Sequence, residues 1–145
     1  MTEYDKALAR ECEKINLEFS KKYEFLGEGR HRRTYRFDSD TVVKVPHSRN
    51  YNGFIDVYSR WTVGDDIMSA VMANYMEHDK DEEFWGVPCA ETRLEHYNGV
   101  PILYMEYVEP LDSVNDDVPD WAWEIDGGQV GYGKDGVLKA YDYSE

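Results

Sequence analysis

Cysteine, long apolar runs and positive charge are all scarce in this sequence. The only cysteines are Cys12 and Cys89. They lack the paired spacing of a metal site or a disulfide framework, so free, reduced thiols and a cytoplasmic location are expected. No apolar run approaches the roughly 20 residues that cross a bilayer, and the opening MTEYDKALARECEK is too charged for a signal peptide. No membrane association is therefore expected. Acidic residues outnumber basic ones by 30 to 16, giving a net charge of −14. That balance argues against direct nucleic-acid binding through a general basic surface. Enough remains to build a core: 41% hydrophobic and 14% aromatic residues exclude wholesale disorder, and 145 residues suit one domain.

The charge is uneven. Between Arg30 and Arg49 lie Arg30, Arg32, Arg33, Arg36, Lys44 and Arg49 against Asp38 and Asp40, so that stretch is +4 and the remainder −18. A cationic strip on an anionic body offers one place for an anion, although a solvated face offsetting its neighbours has the same composition.

Local patterns give the element order. Tyr4, Leu8, Cys12, Ile15 and Phe19 recur at steps of four and three, the stripe of an amphipathic helix with Thr2 as N-cap. Three β-type runs follow, YEFLGEG, RRTYRFD and TVVKVP, then a loop beginning HSRN. Helical patterns cover Phe54–Trp61 and Asp65–His78, the second with Ile67, Met68, Val71, Met72 and Tyr75 as its apolar stripe. AETRLEHY and VPILYMEYVE form a hairpin across Asn98-Gly99, and QVGYG pairs with VLKAYDY across Lys134-Asp135-Gly136. The prediction is a single α+β domain on an antiparallel sheet with packed helices. It divides into a helix over 1–20, a sheet unit over 23–109, a linker over 110–124 and a C-terminal hairpin over 125–145.

In that order the sequence resembles the small N-terminal lobe of the protein kinase superfamily. LGEGRHRRTYRF is similar to its glycine-rich loop, with Gly27 and Gly29 at the first two glycines and Arg32 at the third. TVVKVP resembles the strand carrying the phosphate-holding lysine, here Lys44. LYMEYVEP resembles the hinge, with Met105 in the gatekeeper place and Glu106 to Val108 offering backbone groups to an adenine. Asp142-Tyr143-Ser144 stands where the family has Asp-Phe-Gly. The resemblance implies ATP and magnesium as cofactors, with Asp142 and Gln129 toward the metal and Glu124 or Asp126 near the catalytic base. Arg30, His31, Arg32 and Arg33 would add charge over the phosphates, unless two or more of them are simply outward strand positions.

The departures from the family are equally specific. No Glu lies between Gly29 and Met76, so the helix-borne glutamate that orients the lysine has no identical counterpart, and Asp56, Asp65 or Asp66 would have to serve. The His-Arg-Asp loop and the large helical lobe are missing, and only about 30 residues separate the hinge from Asp142. Trp61, Trp85, Trp121 and Trp123 are expected to build core in place of that lobe. Lys44 is either inward, paired with a residue such as Asp142, or an outward edge-strand charge.

The resemblance supports a kinase-like, pseudokinase-type binding module that engages a host or partner protein. A minimal phosphotransferase is the first alternative. The second is an acidic decoy that imitates nucleic acid before a host defence protein, since small acidic proteins with pared-down folds are of the kind a bacteriophage encodes.

Overall fold

The computed structural model describes residues 3–29, 31–47, 67–79, 88–110 and 130–141. The fold is α+β, with two helices, an antiparallel five-stranded sheet and a smaller three-stranded sheet. The described residues include no large helical lobe, and none of their helices is long and apolar enough to cross a membrane.

Helix α1 spans Glu3–Lys22 and buries Leu8, Ala9, Cys12, Ile15, Asn16 and Phe19. The expected stripe holds from Leu8 onward, whereas Tyr4, one turn earlier, is 66% exposed. Acidic Glu3 and Asp5 in the first turn and Lys21 and Lys22 in the last complement the helix dipole. Burial disfavours the charged form of the Cys12 thiol and pushes its pKa up to about 12, so this cysteine is an inert core residue.

Strands β1 (Glu24–Glu28), β2 (Arg32–Arg36) and β3 (Thr41–Pro46) form a meander. Strands β4 (Thr92–Tyr97) and β5 (Val100–Glu106) form a hairpin, and the sheet order is β1-β2-β3-β5-β4. Asn98 and Gly99 take φ of 52° and 84°, the paired left-handed geometry of a two-residue hairpin turn. β3 lies at the centre, and its period-two alternation divides the molecule. Val43 and Val45 face the helices, whereas Val42 packs with Met105 and Val108 on the other side.

Helix α2 (Ile67–Asp79) meets the sheet with a face that only partly follows the stripe its sequence indicates. Ile67 and Val71 are buried as expected, but Met68, Met72 and Met76 are exposed. The inward row is Ala70, Ala73, Asn74 and Glu77. The alanines let the helix approach closely, and the two polar side chains are matched by partners in the sheet. The helical pattern at Phe54–Trp61, the N-cap Thr2, the expected linker beyond its first residue Pro110, and all four tryptophans lie outside the described residues.

Strands β6 (Glu109–Pro110), β7 (Val130–Tyr132) and β8 (Leu138–Ala140) make the second sheet, in the order β6-β7-β8. The expected C-terminal hairpin is β7-β8, and β6 adds a strand directly after the 105–108 segment. A Cβ at Gly131 would run into the backbone of Glu109, so only glycine permits this close pairing.

One buried polar residue ties α1 to the sheet. Asn16 Nδ2 donates to the carbonyls of Cys12 and Pro46, each at 3.0 Å, and Asn16 Oδ1 accepts from the Tyr35 hydroxyl at 2.8 Å. Asn16→Ala leaves those groups unsatisfied and is expected to cost about 2–3 kcal/mol, while Tyr4→Ala stays within about 0.5 kcal/mol. Urea unfolding monitored by circular dichroism checks both.

Candidate functional site

A cleft of about 490 Å³ opens on the sheet face away from the helices. Leu26, Gly27 and Gly29 cover it from β1 and the turn that follows. Thr34, Val42 and Lys44 form one wall, and Met105, Val108, Pro110 and Tyr141 close the other side. The size and the mixture of apolar walls with a few polar groups suit a small-molecule site.

The covering strand departs from regular pairing. The β1–β2 register shifts between Phe25 and Gly27, and a Cβ added at Gly27 would meet no atom within 4 Å. The space beside this glycine is therefore open to a ligand. Gly29 N–H donates to the Arg32 carbonyl at 2.9 Å, closing the hairpin around Arg30, which lies outside the described residues. His47 staples the turn from beneath. Its ring Nε2 is 2.9 Å from the Gly29 carbonyl and so carries the proton it donates, and its backbone N–H donates to the His31 carbonyl at 2.8 Å. The sequence marks His47 only as the start of a loop, because a staple across a hairpin has no local signature.

Lys44 points inward and is 5% exposed. Its ammonium donates to Glu77 Oε1 at 2.6 Å, and the Tyr141 carbonyl lies at 3.5 Å. Glu77 is fully buried, and its other oxygen, Oε2, is 2.6 Å from an Arg32 guanidinium nitrogen. Arg32 also donates to Asn74 Oδ1 at 3.2 Å.

A helix-borne glutamate therefore does pair with the strand lysine, contrary to the expectation that an aspartate must serve. It stands one residue beyond Met76, on the last turn of α2. Its signal in the sequence is the row Ala70, Ala73, Asn74 and Glu77 at helical spacing, two small residues followed by two polar ones. The apolar stripe of methionines on the opposite face obscures that row.

Of the described residues expected at a nucleotide, Gly27, Gly29, His31, Arg32, Lys44, Met105, Glu106, Tyr107 and Val108 line the cleft, whereas Arg33 does not and instead pairs with Glu28 at 2.6 Å. Arg32 reaches the cleft with its guanidinium held by Glu77 and Asn74. In the 105–108 segment, the amides of Glu106 and Tyr107 donate to the carbonyls of Glu91 and Asp40, each at 2.8 Å. The Arg36 guanidinium stacks 3.7 Å over the Tyr107 ring. Asp142, Glu124, Asp126 and Gln129 lie outside the described residues. The described residues contain no group of three or more acidic, His or Cys side chains that could hold a metal.

A second ion cluster holds the two sheets together. Lys139 on β8 donates to both Glu106 oxygens at 2.8 and 2.9 Å and lies 3.0 Å from Asp135. Glu106 Oε1 also accepts from the Glu91 amide at 3.1 Å. Burial alone would lower the Lys139 pKa, but its bonds to Glu106 and Asp135 outweigh that and raise it. The Val137 amide and Lys139 hold Asp135 below its ordinary value.

No family model, no curated protein and no solved structure matches the chain.

The stabilisation supplied by Lys139 is fully present below the unfolded lysine value and is lost as pH rises through the higher folded value. Lys139→Met is expected to cost about 1–2 kcal/mol at neutral pH. The gap from the parent protein should close only in strongly alkaline solution, above the ordinary lysine pKa. Urea unfolding across a pH series measures it.

Proposed function

We propose that the chain is a kinase-like binding module whose cleft takes ATP and which acts by engaging another protein. The observation that carries this reading is the buried Lys44–Glu77 pair at 2.6 Å beneath the Gly27–Gly29 turn. In protein kinases, a strand lysine held by a helix glutamate must be in place for the phosphates to be gripped. Open space beside Gly27 leaves room for close phosphate approach. Apolar Val42, Met105 and Val108 provide walls for a purine. Because the Glu106 and Tyr107 amides are already bonded, an adenine would be read through the Glu106 carbonyl and the backbone of Val108.

Asp142 and Gln129 offer oxygen donors of the kind magnesium prefers; Gln129 directly precedes β7, and Asp142 follows the end of β8 by two residues. Magnesium held there would neutralise phosphate charge. Lys44 would contribute a fixed cation, and the covering turn would exclude water. Partner engagement is the reading for the rest of the surface, in keeping with the large acidic excess.

The assembled Lys44–Glu77 pair also favours the minimal phosphotransferase as a second reading, since a remnant pocket has no need of an oriented lysine. Glu124 or Asp126 would then be the base.

Isothermal titration with ATP, with and without magnesium, tests the proposal. Magnesium-dependent binding is expected, weakened about tenfold or more by Lys44→Ala. Gly27→Ala should weaken it without moving the thermal midpoint, because the added methyl meets no protein atom. Absence of binding under every condition would refute the nucleotide reading. Transfer of the γ-phosphate that Lys44→Ala abolishes would establish the second reading in place of the first.

A further inference from the structure

The polar side chains between α2 and the sheet form a closed circuit that begins and ends on one residue. The Lys44 carbonyl accepts from Asn74 Nδ2 at 3.1 Å, and Asn74 Oδ1 accepts from Arg32 at 3.2 Å. The same guanidinium lies 2.6 Å from Glu77 Oε2, an ion contact without hydrogen-bond alignment, and Glu77 Oε1 accepts from the Lys44 ammonium at 2.6 Å. Asn74 also donates to the Pro101 carbonyl at 2.9 Å, which anchors the circuit on β5. Asn74 and Glu77 stand three apart on one face of α2, the spacing at which a planar guanidinium can serve both.

The two carboxylate oxygens of Glu77 therefore do different work. Oε1 faces Lys44, and Oε2 faces Arg32. A carboxylate gripped by a single cation can rotate about its last bond and exchange oxygens. Gripped from both sides, it presents one oxygen in one direction. Arg32 is the first residue of β2, directly after the turn over the cleft, so its grip also references Lys44 to that turn.

We infer that Arg32 is a positioning residue of the cleft, fixing the Lys44 ammonium through the Glu77 carboxylate. This gives Arg32 a role different from phosphate contact, the role its place in the glycine-rich turn implies. The inference rests on the proposed function only in taking Lys44 as the cation that the cleft presents to a ligand.

Solvent exchange of the Lys44 ammonium protons, followed by ¹⁵N NMR on the protein without nucleotide, tests it. Removing the Arg32 charge alone would keep Lys44 more firmly protonated and slow that exchange. More frequent opening of the fold would speed it, so the backbone amides of β3 are followed alongside, and ammonium exchange that quickens while theirs does not can come only from lost geometry. Arg32→Gln is expected to speed exchange about tenfold, Glu77→Gln at least as much, and the double variant no more than Glu77→Gln alone, as for residues acting in series. Arg32→Lys keeps the charge without the fork and should resemble Arg32→Gln. Unchanged or slower exchange in Arg32→Gln overturns the inference, as does an additive double variant. If Arg32→Gln does not fold, Arg32→Lys carries the comparison, and parental exchange there overturns it. A merely structural Arg32 would speed exchange of the Lys44 ammonium and of the β3 amides together, by the same factor, and that result also overturns the inference. Because no nucleotide enters the measurement, its failure is distinguishable from failure to bind ATP.

Discussion

The fully buried carboxylate of Glu77 constrains more of this molecule than any other single group described. A carboxylate removed from water costs several kcal/mol unless cations and donors replace the solvent. Here Lys44 and Arg32 each approach one of its oxygens at 2.6 Å. Those partners come from β3 and β2, so meeting the demand fixes α2 against two strands and, through Asn74, against a third. An apolar substitute could hold the helix equally well, since buried ion pairs often contribute little net stability. What an apolar contact could not do is orient an ammonium group at the wall of a cleft.

A second cluster applies the same constraint on the other side. Lys139 binds both oxygens of Glu106 while Glu106 also accepts from the Glu91 amide, so the side chain at the end of β5 is locked to β8 and to the edge of β4. A Cβ at Gly133 would collide with this arrangement. The segment following Met105 is thus held by ion pairing on one side and by the Arg36–Tyr107 stack on the other. Both walls of the cleft are anchored through charged groups, not through loops alone.

Much of the frame was legible in the sequence because its signals are local. The Leu8 to Phe19 stripe, the Asn98-Gly99 turn and the Lys134-Asp135-Gly136 hairpin each follow from a few adjacent residues. The inward Lys44 was legible as a choice between two readings, because a lone cation among valines must either find a partner or face water. Its partner was not legible. Glu77 lies 33 positions from Lys44, on a helix where Ile67, Val71 and Tyr75 pack on the core while Met68 and Met72 are exposed, so periodicity does not single out the row that ends in Glu77. Polar residues read as a solvated face unless their partners are known, and those partners are set by tertiary packing. His47 and Lys139 escaped for the same reason, since each binds residues that only the folded sheet brings near.

The small sheet accounts for how the cleft is closed. A covering hairpin and a central strand make only one side of a pocket; the other side must come from elsewhere. Here β6 continues directly from the 105–108 segment, and β7 and β8 fold against it, bringing Pro110 and Tyr141 to the cleft wall. Glycine at 131 permits the backbones to approach closely enough for this, and Lys139 secures the result. Closure by a hairpin needs far fewer residues than closure by a helical lobe, because two short strands and one turn present side chains to the cleft wall directly.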